Sequence, residues 1–131
     1  MHVCRYWISR VCNDERHIRL KSLLTSSIGD FDAIIANSFF LRLRGLLFRT
    51  PLKEKECLVL YPCRSIHTFG MGYPIDILFL DMFGSVVDYQ LNVSPSRLYL
   101  ASVDSVAAVE MKSGFLCQSQ NYLGVNFKYK N

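Results

Sequence analysis

The sequence predicts a compact, mainly β barrel or sandwich with one short helix. Three observations predict it. Apolar and polar residues alternate along 85–93 and again along 125–129, the period of half-buried strands. Several other apolar runs are short and bounded by Gly, Pro or Asp, as strands between tight turns are. One stretch, about 38–48, instead spaces Phe39, Leu43 and Leu46 along one helical face.

Taken in order, residues 1–30 read as an N-terminal extension, flexible or peripheral. Trp7, Ile8 and Val11 fit one amphipathic turn, and the stretch from Cys12 to Lys21 is polar and charged. Residues 31–131 read as one β domain. Asp32 to Ala36 is a short strand, and Asn37 or Ser38 then offers the side-chain oxygen that caps a helix. Gly45 within that helix costs about 1 kcal/mol relative to alanine, which suggests a close backbone neighbour. Pro51 ends the helix.

Strands follow. Leu58 to Tyr61 is one, and Ser65 to Phe69 is the next. Gly70, Gly72 and Pro74 mark a turn. Ile75 to Asp81 is apolar on both faces, so it should be central and covered on both sides. Gly84 suits the hairpin after it. Along the return strand Val87, Tyr89, Leu91 and Val93 should face in, with Asp88, Gln90 and Asn92 outward. Ser105 to Met111 and Val125 to Tyr129 complete the set, with a turn at Ser113-Gly114.

At 131 residues, half of them apolar and a fifth charged, the chain can bury a real core in one domain. Its net charge of +4 is modest. The basic residues are scattered, with no aromatic interleaving, so nucleic acid is not an expected partner. No apolar run approaches a membrane span, and Arg5 and Arg10 interrupt any signal-like segment. Five cysteines, Cys4, Cys12, Cys57, Cys63 and Cys117, are an odd count with no CxxC spacing. Reduced thiols in a cytoplasmic monomer are expected, with Cys57 and Cys117 as small core residues. In an oxidising compartment Cys4 and Cys12 could pair.

Arg42-Leu43-Arg44-Gly45-Leu46-Leu47-Phe48-Arg49 resembles the RxRGLxxR segment of the DUF192 (UPF0127) family. Ser65 to Met71 followed by Pro74-Ile75-Asp76 is similar to that family's central Met…(I/L)D motif. Leu80-Asp81, Gly84, Val86-Val87 and Val109-Glu110-Met111 with Gly114 continue it in the family's order. The chain departs from the pattern at Gly70, where an aromatic is common, and at Val125, where Asp is. The resemblance covers about Asp32 to Tyr129. It implies a jelly-roll-like β-sandwich or barrel with a small helix, and no activity.

The candidate chemistry lies between Cys63 and Asp81. His67 could bind metal, as half a site with Cys63 whose other ligands would lie elsewhere, or move protons near neutral pH, or be a structural histidine hydrogen-bonded near a strand end. Cys63, four residues earlier, would share its side in an extended segment. Asp76 opens the doubly covered strand and, if buried, needs a counter-charge or several N–H donors: Arg44 chiefly, whose guanidinium grips carboxylates, in what would be a structural latch, or a backbone turn after Pro74 that Asp76 caps, with the compensating polar neighbours expected about His67. Asp81 fits turn chemistry. Phe69, Met71 and Tyr73 could line an apolar pocket or fill the core. Glu110 fits a rim or edge, or a pairing with a basic side chain. No phosphate loop, HExxH, GxSxG or dinucleotide fingerprint occurs, and no cofactor or metal is expected. The reading that follows is a non-catalytic module with a groove near His67, Thr68, Met71, Asp76 and Arg44 for a small molecule or a peptide segment. The alternatives are a hydrolase using His67 with Cys63 or Asp76, and an interaction subunit using a sheet edge.

Overall fold

The computed structural model describes residues 21–36, 52–63, 65–68, 71–101 and 104–130. Its strands are β1 (Lys21–Ser26), β2 (Gly29–Ala36), β3 (Glu56–Leu60), β4 (Ser65–His67), β5 (Ile75–Leu80), β6 (Val86–Val93), β7 (Leu98–Leu100), β8 (Ala107–Lys112) and β9 (Lys128–Lys130). Among the described residues there is no helix. The helix expected over about 38–48 lies outside them, and so does the turn containing Trp7, Ile8 and Val11.

Seven strands form one curled, half-barrel sheet in the order β6-β5-β8-β3-β2-β1-β9, and β4 and β7 pair as a separate ribbon. Among the described strands only β2 and β3 run parallel. The C-terminal segment helps to curl the sheet. Its Gly124 N–H donates to the Val86 carbonyl at 2.9 Å, and the Val86 and Phe127 N–H groups donate to the Val125 and Gly84 carbonyls at 2.8 Å. The same segment then enters β9 beside β1. It therefore ties the start of β6, at one end of the strand order, to β1 near the other.

Each sheet face has its own core. Every residue of β5 is buried, as its two-faced apolar sequence predicts for a strand between β6 and β8. Alternation sends Leu78 and Leu80 into a cluster with Phe31, Val59, Val109, Met111, Tyr122 and Phe127. Ile75, Ile77 and Phe79 go to the other face, with Leu58, Leu60, Ile66 and Met71. Aromatic edges lock the first cluster: Phe31 meets Phe115 at 5.4 Å and 79°, and Tyr89 meets Tyr122 at 5.5 Å and 90°.

The pairing of β6 corrects a simple alternation. Its register against β5 shifts twice, between Ile75 and Ile77 and between Phe79 and Leu80. Each extra residue flips the residues beyond it to the other face. Tyr89 and Leu91 therefore pack on the first cluster while Val93 belongs to the second, and Val86, not Val87, is the buried valine at the strand's start.

Strand structure also begins earlier than the sequence suggested. Residues 21–30, read as part of the extension, form β1 and the start of β2, paired from Lys21 with Ile34 to Ser26 with Gly29. Gly29 takes φ 133° at that turn, a conformation other residues rarely adopt. Leu24 and Phe31 are core residues on this hairpin. Among the described residues, no helix is long and apolar enough to cross a membrane.

Candidate functional site

Asp76 is 1 % exposed, and its position follows from the first β6 irregularity. Ile75 pairs with Val93 and Ile77 with Gln90, so Asp76 faces both Leu91 and Asn92. The amide of Asn92 donates to Asp76 Oδ1 at 2.7 Å instead of to a strand carbonyl. Asn92 sits at φ 51°, a left-handed conformation that Asn tolerates better than most residues. Its side chain is held in turn, with the Ser113 hydroxyl donating to Asn92 Oδ1 at 2.8 Å.

The compensation expected around His67 is therefore built elsewhere. Burial pushes the Asp76 carboxyl above its ordinary 3.8, and the amides of Asn92, Leu116 and Gly114 pull it down by less. Asp76 Oδ2 accepts no well-aligned hydrogen bond, so the Leu116 and Gly114 amides act on it as nearby dipoles. No cation among the described residues shifts this carboxyl. Arg44, the expected counter-charge, lies outside the described residues.

Thr68 is fully buried and organises the next stretch. Its hydroxyl donates to the Ser94 carbonyl at 2.8 Å and accepts the Arg97 N–H at 2.9 Å. Its backbone N–H donates to the Arg97 carbonyl at 2.8 Å, and its carbonyl accepts the Ser96 N–H at 3.0 Å and the Met71 N–H at 3.3 Å. Ser96, like Asn92, is left-handed, with φ 64°. Residues 92–97 thus form a strap with Asp76 at one end and Thr68 at the other. The next residue, Leu98, pairs with His67 across the β4–β7 ribbon.

His67 is half-buried and already has a partner. The strap joins it to Asp76; none of the hydrogen bonds or charges acting on Asp76 comes from the imidazole. Met71 packs in the second core with Tyr73 at its margin, so core filling accounts for both. The Cys63 thiol donates to the Ser65 carbonyl at 3.1 Å. Among the described residues no three His, Cys, Asp or Glu side chains gather as a metal site.

Three other expectations change or sharpen. Glu110 is buried in β8, between β3 and β5, opposite Leu58 and Ile77, and is neither at a rim nor at an edge. Cys117 is exposed, whereas Cys57 is fully buried as expected. A hydrogen bond with Ser119 lowers the Cys117 thiol pKa, and burial raises that of Cys57. Asp81 is turn chemistry: its Oδ1 accepts the Phe83 and Ser85 N–H groups at 2.9 and 3.0 Å.

Sequence reasoning missed the strap and β7. The one signal was Ser-Pro-Ser after an alternating run, which marks a turn but gives no hint that a distant threonine clamps it.

The family model DUF192, described as an uncharacterised ACR, matches residues 22–125. No curated protein sequence matches. The fold is similar to a protein of unknown function from Novosphingobium aromaticivorans, at 21 % identity and TM-score 0.70, over 82 % of each chain. It is also similar to a putative transcription regulator from Sinorhizobium meliloti, at 14 % identity and TM-score 0.76, over 87 % of this chain and 97 % of that one. At these identities the likeness concerns the fold alone.

Proposed function

This chain belongs to the DUF192 family, and we propose that it is a non-catalytic binding module whose groove runs past His67, with Thr68 and Met71 as its buried wall; Asp76, on the other sheet face with Leu78 and Leu80, takes part through the strap it braces. The observation that carries the reading is the strap. Two non-glycine residues, Asn92 and Ser96, hold left-handed conformations within five residues, and two buried polar side chains brace them from outside the segment. Such conformations persist only where the surroundings over-determine them, and they concentrate at binding sites. The ligand is a small molecule or a peptide segment of a partner.

The alternative is hydrolysis using His67 with Cys63 or Asp76. That reading needs Cys63 as an activated thiolate. Iodoacetamide should modify Cys63 at pH 6 no faster than a free thiol; faster labelling would restore the hydrolase reading. A jelly-roll-like connection of the strands is the finer architecture we assign to the curled sheet.

Ligand-observed NMR on the full chain tests the module, using a metabolite library and a set of extended peptides. Binding should perturb amides at 66–68 and 94–98 and should weaken in His67→Ala. Silence across both libraries, or shifts confined to another face, would remove the proposal.

A further inference from the structure

The strap has one end fixed by a group that titrates and one end fixed by a group that does not. At Asp76 a single carboxylate oxygen holds the Asn92 amide at 2.7 Å. At Thr68 a hydroxyl and two backbone groups hold Ser94, Ser96 and Arg97. Between them the left-handed Asn92 and Ser96 leave the segment little slack. We propose that Asp76 is the latch of this strap, and that protonating its carboxyl loosens residues 92–97 and shifts the β4–β7 ribbon that carries His67.

The chemistry at Oδ1 gives the direction. An ionised carboxylate accepts a charge-assisted hydrogen bond, about twice as strong as a neutral one. Protonation weakens that hold and also places an O–H among the amides of Asn92, Gly114 and Leu116, all of them donors. Burial moves this change upward from the ordinary 3.8.

The surroundings leave the carboxyl as the titrating group. Tyr122 lies within electrostatic reach of Asp76, and its own pKa is raised by burial. Tyr89 stacks edge-on to Tyr122. On β8, Met111 pairs with Asp76, and the exposed Lys112 pairs with Ile75, whose side chain belongs to the opposite face. Arg97 and His67, at the far end of the strap, do not act on the Asp76 carboxyl.

The inference concerns the ligand-free chain and stands or falls apart from the binding reading. Carbon-detected NMR on the full chain, with no ligand added, follows the Asp76 side-chain carboxyl carbon from neutral into acidic pH. The amides of Asn92, Ser96, Arg97 and Leu98 are followed in the same samples. The expected result is one shared midpoint above 3.8, with the Asn92 amide proton moving upfield and Ser96 to Leu98 following it. Asp76→Asn should flatten all four amide curves. If that variant does not fold, the wild-type midpoints still decide. Flat curves at Ser96 to Leu98 while Asn92 titrates, or a midpoint there that matches the His67 imidazole instead, would overturn the latch.

Discussion

Thr68→Val keeps the shape of a fully buried side chain and removes only its hydroxyl. Two hydrogen bonds go with it, the 2.8 Å donation to the Ser94 carbonyl and the 2.9 Å acceptance from the Arg97 amide. Each contributes about 1 kcal/mol net. Ser94 and Arg97 are themselves exposed, so their orphaned groups can reach water, and the added desolvation penalty stays at the low end of its range. The expected loss is about 2 kcal/mol. Thr68→Ser keeps both bonds and gives up one buried methyl, about 1 kcal/mol. Equilibrium unfolding in urea reads both, with the midpoint moving at unchanged slope. If Thr68→Val lost less than about 0.5 kcal/mol, or Thr68→Ser lost more than Thr68→Val, the clamp would not be what holds the strap.

Further outcomes follow from the same geometry. Because burial raises the Asp76 carboxyl above 3.8, the native state binds that proton more tightly than the unfolded chain. Its stabilising effect is therefore full below 3.8, declines as pH rises through the raised native value, and is flat beyond it. Thermal midpoints of wild type and Asp76→Asn across the acidic range should differ by that slope; parallel curves would exonerate Asp76. Iodoacetamide labelling mapped by mass spectrometry should modify Cys117 early and Cys57 only on global unfolding. The opposite order would contradict the assigned environments. Phe127 is fully buried, with its ring 6.2 Å from Phe31, so Phe127→Ala should cost about 3–5 kcal/mol by guanidinium denaturation. A loss near zero would mean that the C-terminal segment does not close over the first core.

Most of the strands could be read from the sequence because their cause is local. Ile75 to Leu80 is apolar at successive positions, and only a strand covered on both faces can bury such a run. Asp81 and Gly84 carry their own turn geometry in residue type, and the hydrogen bonds to Asp81 Oδ1 bear that out. The DUF192 resemblance rested on ordered short motifs and is matched over residues 22–125. Lys21 to Ser26 escaped because no clean alternation marks it; its place comes from β2 on one side and β9 on the other.

The candidate site was half readable. Asp76 announced itself as a carboxylate in an apolar strand, and it is buried as that position demands. That N–H donors could balance it was one of the expected answers, but which ones was out of reach, because any residue type supplies a backbone amide. The sequence by itself determined that this chain would be a mainly β member of its family with an acid sunk in a central strand, since pattern and composition depend on neighbours along the chain. Only the tertiary structure decided that a register shift in β6 presents the Asn92 amide to that acid, and that Thr68 grips a strap nearly thirty residues away. Those bonds join residues far apart in sequence, and only the packing of the sheet brings them within hydrogen-bond range.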